Sequence, residues 1–352
     1  MRIVVTGASG NVGTSLLAAL AGEARVSEIV GIARRLPDWS PPRTRWVAAD
    51  ITRDSLAEHF AGADVVVHLA WLIQPSHDEQ TLEAVNVHGS RRVFEAAAAA
   101  GVGALVHASS IGAYSAGPPS GQSVTESWPA HGIPSSFYSR HKAACERILD
   151  GLEAANPRLR VVRLRPALIF KREAASEIRR LFAGPLLPGR LAHPNLIPVL
   201  PLPRGLRVQA VHSSDVAEAY RLAICDERAQ GAYNVAAEPV LDGETLGAAL
   251  GARPVGVPVK AVRAAADLAW RLRLQPTPPG WLDLGMQTPV MDTTRIREEL
   301  GWRAAVSADA ALLDLMSGLR DAAGGPTPPL AADAGGPLRV KELLTGVGGR
   351  NP

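Results

Sequence analysis

The chain has 352 residues, 47% hydrophobic and 20% charged, enough apolar material for a large core and more than one packing unit. Its formal net charge is only +3; although the pI is about 9.1, the basic residues are interleaved with acids and gather around no aromatics, which argues against a nucleic-acid partner. The two cysteines, Cys145 and Cys225, belong to no CxxC or Cys/His cluster, a pattern that excludes a disulfide framework and a zinc site and fits a reducing, cytoplasmic setting.

The chain opens on a strand-like "RIVV" rather than a charged-then-apolar leader, so no signal peptide is expected. No run approaches the roughly 20 apolar residues of a membrane helix, and the most hydrophobic loop, 184–203, is broken by prolines. Short runs rich in Val, Ile and Leu predict strands at 2–6, 28–33, 45–48, 64–69, 104–108 and 160–164. Helical patterns at 12–20, 54–60, 80–100 and 138–155 separate them. Strands apolar on both faces, alternating with helices, predict an α/β fold with a doubly wound parallel sheet of the Rossmann type over 1–165. The strand-helix-strand pattern of 207–236 is expected to extend that sheet. Residues 166–206 and 237–320 are assigned to a smaller, mostly helical substrate lobe; "DTTRIREELG" there has a stop glycine. The stretch 321–352, with "GGPTPP" and "AGGP", reads as a flexible tail.

"VVTGASGNVG" follows the first strand and opens the first helix, with Gly7, Gly10 and Gly13 spaced G-x-x-G-x-x-G. Gly7 turns the chain, Gly10 lets the backbone approach a pyrophosphate, and Gly13 lets the helix pack closely on the sheet. The amides and dipole of the helix start, around Ser9, Asn11 and Val12, then face the anion. A dinucleotide is the expected cofactor. At the end of the second strand, "GIARRLP" offers Arg34 and Arg35 and no acid until Asp38. An acid there would hold a ribose 2′-hydroxyl, and an arginine a 2′-phosphate, so NADP is expected in preference to NAD.

"TGASGNVG", "AADIT", "VVHLAW", "HASSIGAY" and "YSRHK" occur in that order. Together they resemble an extended short-chain dehydrogenase/reductase of the NAD-dependent epimerase/dehydratase family, and the likeness runs to "VMDTTRIREELGW", ending at Trp302. The resemblance implies that Tyr138 is the acid/base and that Lys142, one helical turn on, favours the tyrosinate and holds the nicotinamide ribose. It makes Ser110 the group that orients the substrate oxygen, with Ser109 beside it. It further implies that Asp50 and Ile51 lie at the adenine, Leu69, Ala70 and Trp71 along the ribose and pyrophosphate, and Ala108, Pro166 and Leu168 beside the nicotinamide. Asn86 is read as a brace or a ligand contact, and Asp215 as bracing or capping a helix. The nine histidines suggest no metal site. Related proteins often form homodimers through the helices corresponding to 80–100 and 138–155; the alanines of "VFEAAAAAG" suit such a contact or simply packing on the sheet.

The sequence departs from the family where sugar-nucleotide enzymes carry R-x-x-N-x-x-G. Here "LRPALIFKR" places Leu168 at the asparagine and Lys171 at the glycine. The next loop is apolar, as are Trp71, Leu72 and Ile73, although Arg172, Arg179 and Arg180 offer charge for a diphosphate. The favoured reading is an NAD(P)-dependent oxidoreductase acting on a carbonyl or alcohol of an apolar small molecule. The alternative is a nucleotide-sugar epimerase/dehydratase with an internally recycled cofactor. A third reading, a non-enzymatic NADP-sensing protein, is disfavoured by the retained Tyr/Lys pair.

Overall fold

The computed structural model describes residues 1–73, 78–182, 198–275 and 277–332. β1 (Arg2–Thr6) is buried on both faces, as a strand can be only with helices above and below it. α1 (Asn11–Ala21), β2 (Glu28–Ala33), β3 (Thr44–Ala48), α2 (Ala57–Phe60) and β4 (Val65–His68) follow. After α3 (Glu79–Glu83) and a π-helical turn at Ala84–Gly89 come α4 (Ser90–Ala99), β5 (Ala104–Ala108), α5 (Phe137–Ala155) and β6 (Arg160–Pro166). The rest comprises β7 (Leu168–Phe170), α6 (Ala175–Phe182), β8 (Val199–Pro203), β9 (Arg207–His212), α7 (Ser213–Cys225), β10 (Gly231–Val235) and β11 (Ala237–Asp242). It ends with α8 (Gly243–Leu250), β12 (Arg253–Val257), α9 (Val259–Arg271), α10 (Gly280–Gln287), α11 (Thr294–Leu300) and α12 (Ala308–Arg320).

Seven parallel strands form the central sheet in the order β10-β6-β5-β4-β1-β2-β3. One apolar cluster joins α1 and α7 to one face through Leu16, Leu17, Val216 and Tyr220. A second joins α4 and α5 to the other through Val93, Phe94, Ala97 and Leu149. Ala97 of the alanine run is thus spent on the sheet.

Two expected elements are altered by side chains that capture backbone groups. The helix expected over 80–100 is interrupted at its π turn. There the Asn86 carboxamide oxygen accepts from Leu72 N at 2.7 Å and its nitrogen donates to Leu72 O at 2.9 Å. Asn86 therefore braces the chain leaving β4. The helix expected over 54–60 shortens to α2, because the Asp54 carboxylate accepts from Asp50 N at 2.7 Å in the turn that precedes it.

Of the stretch expected to extend the sheet, only β10 does so. β9 lies in a separate three-stranded sheet, parallel to β7 and antiparallel to β11. Ala167 N donates to Val235 O as the chain steps out of β6, and the displaced β7 becomes the partner of β9. The second lobe thus carries small sheets, including a β8–β12 pair, besides its helices. Gly301 ends α11 at φ +68°, in the role of its stop glycine. Asp215 accepts from Val306 N at 3.0 Å, while its carbonyl takes the Trp302 indole N–H at 2.8 Å; it braces the second lobe, and His212 caps α7.

The stretch after α12 also differs from its composition. Across 321–332, Leu330 is fully buried, Gly325 N donates to Leu330 O, and the Thr327 hydroxyl donates to Ser9 O at 2.7 Å. A Cβ on Gly324 would stand 2.4 Å from Ala332 N, so this glycine reflects close packing rather than a flexible linker. Residues 333–352, and 184–197 of the apolar loop, lie outside the described residues.

Gly7 sets the crevice between β1 and β4. Its φ is +72°, its N–H donates to Ile32 O, and a Cβ would meet Ala70 N at 2.5 Å. Gly7→Ala is expected to cost about 2–5 kcal/mol from left-handed strain and overpacking. Urea unfolding checks this; an unchanged midpoint would mean the turn relaxes freely.

Candidate active site

The β1–β4 crevice is the point where strand order reverses, the place where open α/β sheets bind ligands. Gly7, Ser9, Gly10, Arg34, Arg35, Asp50, Ile51, Leu69, Ala70 and Trp71 line one cleft there. Asn11, Val12 and Gly13 form the first turn of α1. The cap residue Gly10 offers no side chain, and the first turn holds no acid, so the leading amides keep their capacity for an anion. Gly13 is needed for packing, since a Cβ would stand 2.4 Å from Ala8 O. A Cβ on Gly10 would meet only Gly7 O, at 3.4 Å. The absence of a side chain at Gly10 therefore serves the open side of the loop, and the residues fit a dinucleotide pyrophosphate. Asp50 accepts from Thr52 N and Oγ1 at 2.9 and 2.7 Å. Burial works against its anion, but these bonds and Arg34 hold the carboxyl below its usual range.

Ser110, Tyr138 and Lys142 lie together on the far side of Trp71. The Ser110 hydroxyl accepts from Gly112 N at 3.0 Å and stands near enough to Tyr138 to favour its phenolate. Tyr138 and Lys142 occupy successive turns of α5, whose start is capped by Ser136. Lys142 Nζ donates to Ala108 O at 2.7 Å and sits 3.4 Å from the centroid of the Trp71 ring. The Tyr138 ring meets Trp71 edge-on at 5.9 Å and Trp281 of α10 at 5.1 Å. Pro166 ends β6, and Leu168 begins β7 half exposed.

The charges correct one expectation. Lys142 was expected to depress the Tyr138 pKa; instead burial pushes the phenol up to about 12, with Ser110 opposing the rise. The ammonium is turned to Ala108 O and Trp71, 5.8 Å from the Tyr138 ring centroid. Burial lowers Lys142 itself from 10.5 to about 7, with Cys145 and Glu146 opposing the fall.

Behind the cluster, Glu146 is almost wholly buried. It accepts from Ser109 Oγ at 2.5 Å, from Arg163 at 3.0 Å and from Arg165 at 2.9 and 3.1 Å. Burial works against its charge, but Arg165, Arg163 and Ser109 together hold the carboxyl below its usual range. Arg165 continues to Tyr114 Oη at 2.9 Å, and Tyr114 to Asn234 Oδ1 at 2.7 Å.

Sequence reasoning missed four parts of the site: Gly112, Trp281, Glu177 and the prolines at 328 and 329. A Cβ on Gly112 would stand 2.8 Å from Tyr138 Cε1, so this glycine makes room for the ring. Trp281 comes from more than a hundred residues away, and Glu177, Pro328 and Pro329 line the cleft from outside the sheet; none carries a local signature.

The fold is that of the short-chain dehydrogenase/reductase class. The sequence model of the NAD dependent epimerase/dehydratase family matches residues 3–236, and the chain belongs to that family. An uncharacterized protein of Mycobacterium tuberculosis is 32% identical over 326 residues; the match takes in 91% of this chain but only 30% of that protein's length. The 4-hydroxy-2-methyl-3-oxo-4-farnesyl-3,4-dihydroquinoline-1-oxide ketoreductase of Stigmatella aurantiaca is 31% identical over 176 residues, 48% of this chain and 51% of its own. Among solved structures, the UDP-glucose 4-epimerase of Thermus thermophilus in complex with NAD has a TM-score of 0.66 at 22% identity. It covers 91% of this chain and 99% of its own, a likeness of fold.

Lys142 yields a pH test. Because its pKa falls on folding, the unfolded chain binds the extra proton between pH 7 and 10.5. The stability penalty is therefore full below pH 7 and is relieved as pH rises. Lys142→Met should raise the melting temperature by several degrees at pH 6–7 and converge with the wild type toward pH 10. A difference independent of pH would refute the buried-charge account.

Proposed function

We propose that this chain is an NADP(H)-dependent oxidoreductase that reduces a carbonyl on an apolar small molecule. The observation that carries this reading is the aromatic enclosure of Tyr138 by Trp71 and Trp281, which suits an apolar ring or chain better than a charged diphosphate. A bound nicotinamide would supply the hydride. Ser110 then orients the carbonyl oxygen, and Tyr138, kept protonated by burial, gives its proton to that oxygen as charge develops there. Lys142, its direction fixed by Ala108 O, would hold the nicotinamide ribose. The glycine loop holds the pyrophosphate, and Arg34 and Arg35 a 2′-phosphate. The ketoreductase relative, named for a farnesylated quinoline oxide, supports an apolar substrate.

A second reading, a nucleotide-sugar epimerase/dehydratase that reoxidises its own cofactor, draws support from the family description and the epimerase neighbour. Against it, Arg172, one of the arginines available to a diphosphate, is engaged with Ser317 at 2.9 Å and Asp321 at 2.8 Å. Self-association through α4 and α5 belongs to either reading, and light scattering at micromolar concentration checks it.

Tyr138→Phe is expected to lower kcat at least about a hundredfold while leaving the dinucleotide Kd within about twofold. A fully active variant would remove Tyr138 from the chemistry. With Tyr138 titrating near 12, alcohol oxidation should accelerate with pH across 7–10 while reduction does not; parallel profiles would contradict a tyrosine acid.

Cofactor titrations separate the two readings. Preferential, exchangeable NADPH binding, weakened at least about tenfold by Arg34→Ala together with Arg35→Ala, supports the reductase. Stoichiometric NAD released only on denaturation, identified by mass spectrometry, would replace it with the internal cycle.

A further inference from the structure

We infer that the turn 321–332 is a built part of the dinucleotide site and sets how fast the dinucleotide leaves. The inference rests on the dinucleotide reading common to both enzymatic proposals and is independent of the reaction.

Three observations converge. Pro328 and Pro329 line the same cleft as Gly7, Gly10, Arg34 and Arg35. Next to them, the Thr327 hydroxyl donates to Ser9 O at 2.7 Å, and Thr327 is almost wholly buried. The turn is therefore fastened directly to the loop that precedes the α1 amides. On the other side, Leu330 is fully buried, and its carbonyl closes the turn by accepting from Gly325 N at 2.8 Å.

Farther back, Arg172 and Ser176 hold the start of the turn through Asp321 and Ala323 O. A flexible tail passing over the cleft would have no such anchors on either side of its lining residues. Two adjacent prolines also suit the place. They have no N–H to leave unpaired at the cleft rim, and their fixed φ limits the ordering entropy of a strap. A dinucleotide lying on the glycine loop must leave past these rings, or the turn must lift. Lifting breaks the Thr327 bond and exposes Leu330, so the strap retards exit more than it strengthens the phosphate contacts.

The test is stopped-flow release of bound NADPH and of NADH, chased with excess unlabelled dinucleotide, from wild type, Thr327→Val and the double variant Pro328→Gly/Pro329→Gly. Thr327→Val removes one hydrogen bond without changing side-chain size, and release should quicken about threefold to tenfold. The glycine pair should quicken it by at least about tenfold, and both variants should keep the melting temperature of the dinucleotide-free protein within a degree or two. A purely structural role predicts the reverse, a lower melting temperature with unchanged release. Release within twofold of wild type in both folded variants would overturn the strap and leave the dinucleotide reading intact. Failure of the wild type to bind either dinucleotide would overturn both.

Discussion

The arrangement of the site depends on one buried carboxylate. Glu146 sits on α5, one turn beyond Lys142, and is held by Arg163 and Arg165 of β6 and by Ser109 at the end of β5. Three elements that must keep a fixed relation, the helix bearing Tyr138 and Lys142, the strand behind it and the loop bearing Ser110, meet at its oxygens. Burying such a charge is costly, and it persists because every oxygen has donors. Removal of the carboxylate would leave the buried Arg165 guanidinium without its counter-charge, typically a loss of about 3–5 kcal/mol, while Arg163 would keep Asp150 and Glu153. Pairing of this kind fixes relative positions more than it adds net stability.

Lys142, a turn away, shows the opposite solution. Among the described residues no carboxylate forms a salt bridge with it; its ammonium is held by a carbonyl and by the face of Trp71, and burial lowers its pKa to about 7. Tyr138 is pushed the other way, toward the protonated form. Both shifts arise from the same cause, burial, to which Trp71 contributes at both groups, and exclusion of water strengthens each remaining polar interaction. Trp71 lines the glycine-loop cleft on one side and packs against Tyr138 and Lys142 on the other, so it couples the two halves of the site.

The sequence made the Rossmann half legible because its signals are local. Apolar runs on both faces mark parallel strands, and Gly7 and Gly13 announce a turn and a close approach, each now visible as a Cβ clash of about 2.5 Å. Tyr138 and Lys142 were legible as a pair at helical spacing. What stayed hidden depends on tertiary placement. The direction of the Tyr138 shift required knowing how completely the ring is buried. The partner of β9 required knowing where the chain leaves β6. Trp281 joins Tyr138 only through the path of the second lobe, which no spacing encodes.

The glycines and prolines after Asp321 show why composition alone misreads such segments. Glycine is permissive in conformation, but it is also the only residue that fits where two backbones touch, and Gly324 stands at such a contact with Ala332. Proline breaks regular structure, yet at a cleft rim it supplies a rigid surface without an unpaired donor. The same residues therefore suit a disordered linker or a tightly folded turn. What separates the two is the presence of anchors that can be buried, here Thr327 and Leu330 within four residues of each other. The same turn engages Arg172 through Asp321. A charge that could have met a substrate diphosphate is thus committed to holding the segment beside the glycine-loop cleft. That commitment links the proposed strap to the apolar character of the proposed substrate site.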